Sequence, residues 1–237
     1  MDELKKDHSS SVFSEEELEL GFVATAILFF FAGFDTTSTT LSVVVHALVH
    51  HPHIQERLRK EIEEVIGDSE EVTADHLKEL KYIENIIFES MRKYFSFGKK
   101  KSSNIEPLYT QLMFIGISRV CTKDYKLPGT DIVIPKDLVV IVKPNEEGCY
   151  PNPEAFDPDN FNESDGLNKF AFVGFGQGPR NCIGMRYAIQ TLKLAVIHTV
   201  RNYNLVKCDK TVGEDELMFS FSKNGFVGGI NFKVEKI

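Results

Sequence analysis

Residues 21–33, GFVATAILFFFAG, constrain the fold of this chain more than any other stretch. Ser14, Glu15, Glu16 and Glu17 stand ahead of them and Pro52 behind. A Ser followed three residues later by Glu is a capping box, and acids suit the positive end of a helix. A proline cannot continue a helical ladder. The pattern predicts one helix from about Glu15 to about His50. Its centre is apolar on nearly every side, so it must be surrounded. The thirteen-residue run reaches only about 20 Å as helix, short of a hydrocarbon core of about 30 Å. It is therefore read as a buried helix through the middle of a protein rather than a membrane span. FDTTSTT, Phe34 to Thr40, follows at once. Threonines there compete with the ladder and can bend it, and so many polar groups on a buried helix require a use.

The rest of the chain is ordinary enough to exclude several classes. Of 237 residues, 42% are hydrophobic and 26% charged, which supports a packed core and excludes wholesale disorder. The net charge of −8 argues against a nucleic-acid partner, which calls for a basic stripe. Cys121, Cys149, Cys182 and Cys208 form no CxxC pair, so zinc-ribbon and thioredoxin-type chemistry are not expected. Cys121, Cys149 and Cys208 are read as free thiols. The polar opening residues show no signal peptide or anchor.

Further elements follow from periodicity and punctuation. A second helix is predicted from about His53 to Ile66, with Ile54, Leu58, Ile62 and Val65 on one face and Gly67 as its stop. A third opens near Thr73 or Asp75 and runs to about Phe95, with Glu89 and Arg92 one turn apart. Taken alone, that pair is an ordinary surface ion pair worth under about 1 kcal/mol. Residues 97–111, with Lys99, Lys100 and Lys101, have no period and read as an exposed loop. Val120, residues 131–134 and residues 138–142 suggest short strands, with turns at Pro128-Gly129 and Pro135-Lys136-Asp137. Residues 144–165 read as a long irregular coil, and a last helix runs from about Gly184 to Asn202. Alternating Ile230, Phe232 and Val234 suit a terminal hairpin. The fold class is mainly α with small β-sheets. His46, His50, His51 and His53 crowd one helix end, with no acidic third ligand indicated.

The densest chemistry lies in FGQGPRNCIG, Phe175 to Gly184. Glycines bring backbone close to something flat or large. An arginine offers a fork to a carboxylate. A cysteine where a helix begins meets exposed amides that favour a thiolate, and Gly184 removes a side chain beside it. One soft anionic ligand beside a carboxylate-binding arginine suits an iron porphyrin, with its axial position and propionate arms. An inert buried cysteine in a Gly-rich turn is the plain competitor. A phosphate loop is the other, but its Lys and Ser/Thr are absent.

This segment resembles the haem-binding signature of the cytochrome P-450 family, the haem-thiolate monooxygenases. Ala32-Gly33-Phe34-Asp35-Thr36-Thr37 resembles the family's oxygen-activation motif in its long central helix. Glu89-Ser90-Met91-Arg92 resembles its E-x-x-R motif, and Phe156-Asp157-Pro158-Asp159-Asn160-Phe161 the segment before the haem loop. The four stand in the family's order, with wording most similar to animal microsomal members that oxidise drugs, steroids and fatty acids.

The resemblance implies haem b (iron protoporphyrin IX) as cofactor and Cys182 as the thiolate ligand of its iron. It implies Arg180 and Arg119 on the propionates, Phe175 and Gly176 in the haem loop, and Phe175 shielding the thiolate. Asp35 and Thr36 would steer protons to dioxygen, with Thr36 opening the helical ladder there. Glu89 and Arg92 would form a buried pair bracing the haem loop from behind. The implied reaction inserts one oxygen atom of dioxygen into a small lipophilic substrate, with electrons from an NADPH-dependent reductase, at the endoplasmic reticulum membrane.

Four departures qualify this. The chain resembles only the carboxy-terminal half of a member, a single incomplete haem-binding domain, so a truncated fragment with weak or no haem binding is the rival reading. Residues 97–111 read as an insertion, without the family's proline after E-x-x-R. Asn160 stands where many members carry an arginine that completes a triad with Glu89 and Arg92; asparagine can hydrogen-bond but brings no charge. Glu146-Glu147-Gly148 replaces the usual basic stretch.

Overall fold

A computed structural model describes residues 13–94, 117–142, 149–162, 171–217, 219–220, 225–226 and 229–237. The chain divides into two compact units, Met1–Ser38 and Thr39–Ile237. The predicted insertion at residues 97–111 and the segment 146–148 lie outside the described residues.

The long helix is present as α1 (Glu15–His50). Its start is the capping box read from the sequence: Glu17 N–H donates to Ser14 Oγ at 3.3 Å, and Ser14 N–H donates to the Glu17 carboxylate at 2.7 Å. The expectation of a buried apolar centre is not met. In the first unit the large apolar side chains from Leu20 to Phe34 are 53–69% exposed. Burial along α1 sets in at Thr40 and includes Val43, Val44, Ala47 and Leu48. A helix apolar all round needs neighbours on every side, and its last turns, in the second unit, have them. By length and composition α1 could also cross a membrane, a test that core helices of soluble proteins pass as well.

In the second unit the core forms between the end of α1, α2 (Pro52–Ile66), α4 (Tyr82–Tyr94) and α5 (Met185–Asn202). Leu48, Leu58, Ile62, Ile83, Ile86, Ile87, Ile197 and Leu205 are at most 1% exposed there. Each helix supplies an apolar stripe at helical spacing, and each stripe faces inward. Pro52 opens α2, and Gly67, at φ +56°, closes it by donating its N–H to Glu63 O at 2.9 Å. Buried Gln55 stitches three elements together. Its amide donates to Leu48 O at 3.3 Å and Leu205 O at 3.0 Å, and accepts Leu205 N–H at 2.9 Å.

The third predicted helix is two helices, α3 (Ala74–Glu79) and α4, with Leu80 extended between them. The periodicity runs through the break because both helices face the same core. The break itself is made by tertiary partners. Glu61 Oε1 on α2 accepts the N–H groups of Lys81 at 3.0 Å and Tyr82 at 2.8 Å, capping α4. Lys193 Nζ on α5 donates to Leu77 O and Leu80 O, both at 2.8 Å. Thr73 caps α3 through a reciprocal box with His76.

Four two-stranded antiparallel ladders occur among the described residues. β1 (Ile117–Val120) pairs with β4 (Val139–Val142), and β2 (Tyr125–Lys126) with β3 (Val133–Ile134). Both turns stand where Pro128-Gly129 and Pro135-Lys136-Asp137 put them, with Gly129 at φ +76° and Asp137 at φ +67°. β5 (Tyr203–Val206) pairs with β8 (Lys233–Lys236), and β6 (Phe219–Ser220) with β7 (Gly225–Phe226). The terminal hairpin is thus corrected: the last strand returns to the end of α5 instead of folding on its neighbour.

Candidate functional site

The loop before α5 is a sequence of tight turns. Gly176 and Gly178 take φ of +76° and +77°, which L side chains rarely adopt. Gly176 N–H donates to Val173 O at 2.9 Å, and Cys182 N–H donates to Phe175 O at 2.7 Å. A 3-10 turn at Gly178–Arg180 closes with Asn181 N–H on Gly178 O at 3.1 Å. Cys182 is thereby presented as an exposed free thiol three residues before α5 begins. Gly184 is the N-cap residue and caps no amide with a side chain. A Cβ on Gly184 would sit 4.0 Å from Cys182 Sγ, an ordinary contact, so the chain's own atoms do not require glycine there. Ile183 beside Cys182 is 85% exposed and Tyr187 72%, a pair of large side chains with no apolar cover.

The strand β1 lies beside this loop: a Cβ at Gly176 would be 3.9 Å from Ile117 Cδ1. Arg119 is two residues along β1 from Ile117, hence on the same face. It is exposed and donates to its neighbour's carbonyl, Ser118 O, at 2.8 Å. Arg180 is exposed too. Phe175 is half-buried, with its ring 6.3 Å from that of Phe88 on α4. Its backbone oxygen accepts the Cys182 N–H. Gly176→Ala is expected to cost about 1–2 kcal/mol from the positive φ alone. A urea midpoint on the purified chain checks this.

Behind the loop, α4 works on two sides. Phe88 packs on Phe172 with ring centroids 5.0 Å apart, and Met91 Cε comes within 3.0 Å of where a Gly174 Cβ would stand. On the other side Glu89 and Arg92 form a pair at 2.5 and 2.6 Å, both side chains 0% exposed. Arg92 also donates to Pro153 O and Ala155 O, both at 2.9 Å, and its guanidinium lies 4.8 Å over the Tyr150 ring. Glu89 Oε1 accepts Asp157 N–H at 2.8 Å and Asn160 Nδ2 at 3.3 Å. Burial pushes the Glu89 carboxyl up from its ordinary value, with Arg92 pulling hardest the other way. The pair thus holds residues 153–160 directly and faces the Cys182 loop through its helix neighbours. Asn160 occupies the predicted third position, by hydrogen bond alone.

Asp35 and Thr36 belong to the first unit. Asp35 is half-buried and Thr36 exposed. Thr36 Oγ1 donates to Ala32 O at 2.6 Å, and Ser38 Oγ to Asp35 O at 3.1 Å. The helix runs unbroken through them, so the expected opening of the ladder at Thr36 is not seen. A hydroxyl that bonds back to the carbonyl one turn earlier is satisfied without displacing a backbone amide.

Several positioning residues escaped sequence reasoning. Arg57 on α2 forks onto Asp159 at 2.7 and 2.9 Å and lies 3.9 Å over the Tyr82 ring. Lys193 and Gln55 are buried polar side chains with every bond to another element. Glu214 gathers His51, Lys93 and Tyr94. Apart from Leu48 under Gln55 and Tyr82 under Arg57, their partners lie a hundred or more residues away, where no local period reaches.

A family model described as Cytochrome P450 matches residues 1–103 and 108–227. Cytochrome P450 3A12 of Canis lupus familiaris is 34% identical over 199 residues, 81% of this chain and 36% of the dog protein. Cytochrome P450 6l1 of Blattella germanica is 36% identical over 193 residues, 78% of this chain and 35% of that protein. The "Probable cytochrome P450 6a14" of Drosophila melanogaster is 33% identical over 226 residues, 90% of this chain and 40% of the fly protein. The chain therefore spans roughly a third of the length of these relatives. The matched residues include the Asp35, Glu89, Asn160 and Cys182 motifs, and on this match the chain belongs to the cytochrome P450 family.

Proposed function

We propose that this chain is the haem-bearing part of a haem-thiolate monooxygenase, a single incomplete domain carrying an insertion at residues 97–111. The observation that carries the reading is Cys182: a free, exposed thiol fixed by backbone bonds at the mouth of a glycine-shaped loop. The donor set fits haem b. A soft sulfur ligand, two exposed arginines and uncovered Ile183 and Tyr187 suit an apolar disc with an axial site and carboxylate arms. Haem held there supplies the dioxygen chemistry that inserts one oxygen atom into an organic substrate.

The chain's own residues do the rest. Cys182 ligates through Sγ. Arg180 and Arg119 orient the propionates by charge-assisted forks. Gly176, without a side chain, lets the loop approach closely, and Phe175 holds the Cys182 N–H on its backbone oxygen. Asp35 and Thr36, in the first unit, would hold and pass protons through a carboxylate oxygen and Oγ1. Glu89 and Arg92 keep residues 153–160 in place. An NADPH-dependent reductase supplies electrons, the substrate is small and lipophilic, and the site of action is the endoplasmic reticulum membrane.

A second reading is favoured by one observation, the large exposed apolar surface from Leu20 to Phe34. On that reading the chain is a truncated, non-catalytic product that binds haem weakly or not at all. One spectrum separates the two. The chain reconstituted with haem, reduced and exposed to carbon monoxide is expected to give a strongly red-shifted Soret band, and Cys182→Ala to lose it. No haem uptake, or a band typical of a neutral ligand in the parent chain, selects the second reading.

A further inference from the structure

We propose that His46, His50, His51 and Glu214 form an acid-released clasp that fastens residues 212–217 to the carboxy-terminal end of α1. All of these lie within the second unit. His46 Nε2 is 3.1 Å from Glu214 O, and His50 Nε2 is 3.0 Å from Val212 O. A carbonyl can only accept, so both rings donate from Nε2. His51 Nε2 is 3.1 Å from Glu214 Oε1. From α4, Lys93 Nζ donates to the same oxygen, and Tyr94 OH does so at 3.3 Å. Three histidines within one and a half turns thus grip one short segment by its backbone and its single inward carboxylate. That segment includes the 3-10 turn Glu214–Glu216, followed at once by the buried side chain of Leu217.

The clasp is built to be neutral where it is deepest. His46 is 1% exposed. Its ring is 4.5 Å from that of His50 and 5.3 Å from that of Tyr94. Other charges facing the cluster are Lys207 near His50, Asp215 3.9 Å from Lys93, and Glu89 near Tyr94. Burial, reinforced by His50, pushes His46 down to about 4, against the pull of the Glu214 carbonyl. Burial and then Lys207 push His50 down as well. The His51 bond and Lys93 hold the Glu214 carboxyl well below the usual carboxylate range, against burial.

These directions fix the sign. A released histidine titrates near its ordinary value of about 6.5. Above that pH the fastened and released forms bind equal protons and the clasp is insensitive. As pH falls below it, the released form takes up protons that the fastened form refuses, so release is favoured. Glu214 acts in the same sense, but only below the ordinary carboxylate value. Between neutral pH and pH 5 the switch rests on His46 and His50.

Hydrogen–deuterium exchange on the full chain tests this, with rates corrected for intrinsic chemistry. Protection of the amides of residues 207–217 is expected to fall about 30-fold between pH 7.5 and 5.0 from His46 alone. The amides of α2 are expected to hold their protection. In H46Q/H50Q the glutamine amides still donate but cannot titrate, and the fall is expected to flatten. Equal protection at the two pH values, an equal loss across α2, or an unchanged fall in the double variant each overturns the proposal. Should the double variant fail to fold, the ring signals of the parent chain decide by NMR. A His46 ring still neutral at pH 5.5 supports the clasp, and one titrating like a free histidine overturns it.

Discussion

Arg92→Leu is expected to destabilise the fold by about 3–5 kcal/mol, the range for breaking a buried pair from one side. The two side chains are fully enclosed and bond at 2.5 and 2.6 Å. Removing the guanidinium leaves the Glu89 carboxylate in a dry site with Asp157 N–H and Asn160 Nδ2 as its remaining donors. It also strips donors from Pro153 O and Ala155 O. Asparagine at position 160 sharpens the effect, since among the described residues it offers Glu89 a hydrogen bond and no charge. The pH dependence has a definite sign. Arg92 is the strongest opponent of the burial that already pushes Glu89 up, so its loss pushes Glu89 further. A carboxyl raised in the fold keeps its stability below the ordinary carboxylate value and loses it as pH rises through the folded one. The deficit of the variant is therefore larger at pH 7 than near pH 4.5. Glu89→Leu/Arg92→Leu together should cost less than the two singles summed, because no orphan charge remains. Urea unfolding of all three variants measures this. A loss under about 1 kcal/mol for Arg92→Leu would mean that the pair behaves like a surface one.

Lys193→Met comes next, with an expected loss of about 2–4 kcal/mol. Lys193 is 2% exposed and spends its three donors on Leu77 O, Leu80 O and Glu84 Oε2, each at 2.8 Å. Methionine keeps most of the apolar stem, so the loss reports the ammonium rather than a cavity. Two carbonyls at the end of α3 lose their donor inside the protein, while Glu84, partly exposed, regains water. The cost should concentrate at the joint between α3 and α4. Amide exchange at residues 77–82 should quicken more than exchange along α5 itself. Should Lys193→Met instead leave the urea midpoint where it was, water must be replacing the ammonium, and the joint would owe its shape to Glu61 alone.

Both residues illustrate what one chain of letters can and cannot disclose. The capping box at Ser14, the stops at Pro52 and Gly67 and the two proline turns were legible because each is a local device acting within a few residues. The strands β1, β3 and β4 and the start of α5 were legible for the same reason, whereas β2 (Tyr125–Lys126) was not read as a strand. The joint after Glu79 was not, because Glu61 and Lys193 make it from other helices and the apolar period crosses it undisturbed. The last strand was read as a hairpin because alternation gives the face of a strand but not its partner. The turns of the cysteine loop were legible because glycines, a proline and a helix start coincide there. The exposure of Leu20 to Phe34 was not, since burial depends on neighbours rather than on the helix. Glu214 reads as a surface acid until four distant side chains are seen around it.

The amide of Gln55 spans 150 residues in reaching Leu205, and that spacing sets an order of events during synthesis. At about 5–20 residues per second, the α1–α2 corner emerges from the ribosome roughly 8–30 s before the strand that seals it. Through that interval the parts of the inward faces that α5 and β5 later cover, and the side chain of Gln55 with them, are bare. A codon change that slows the stretch between corner and strand would lengthen their exposure without altering one residue of the product.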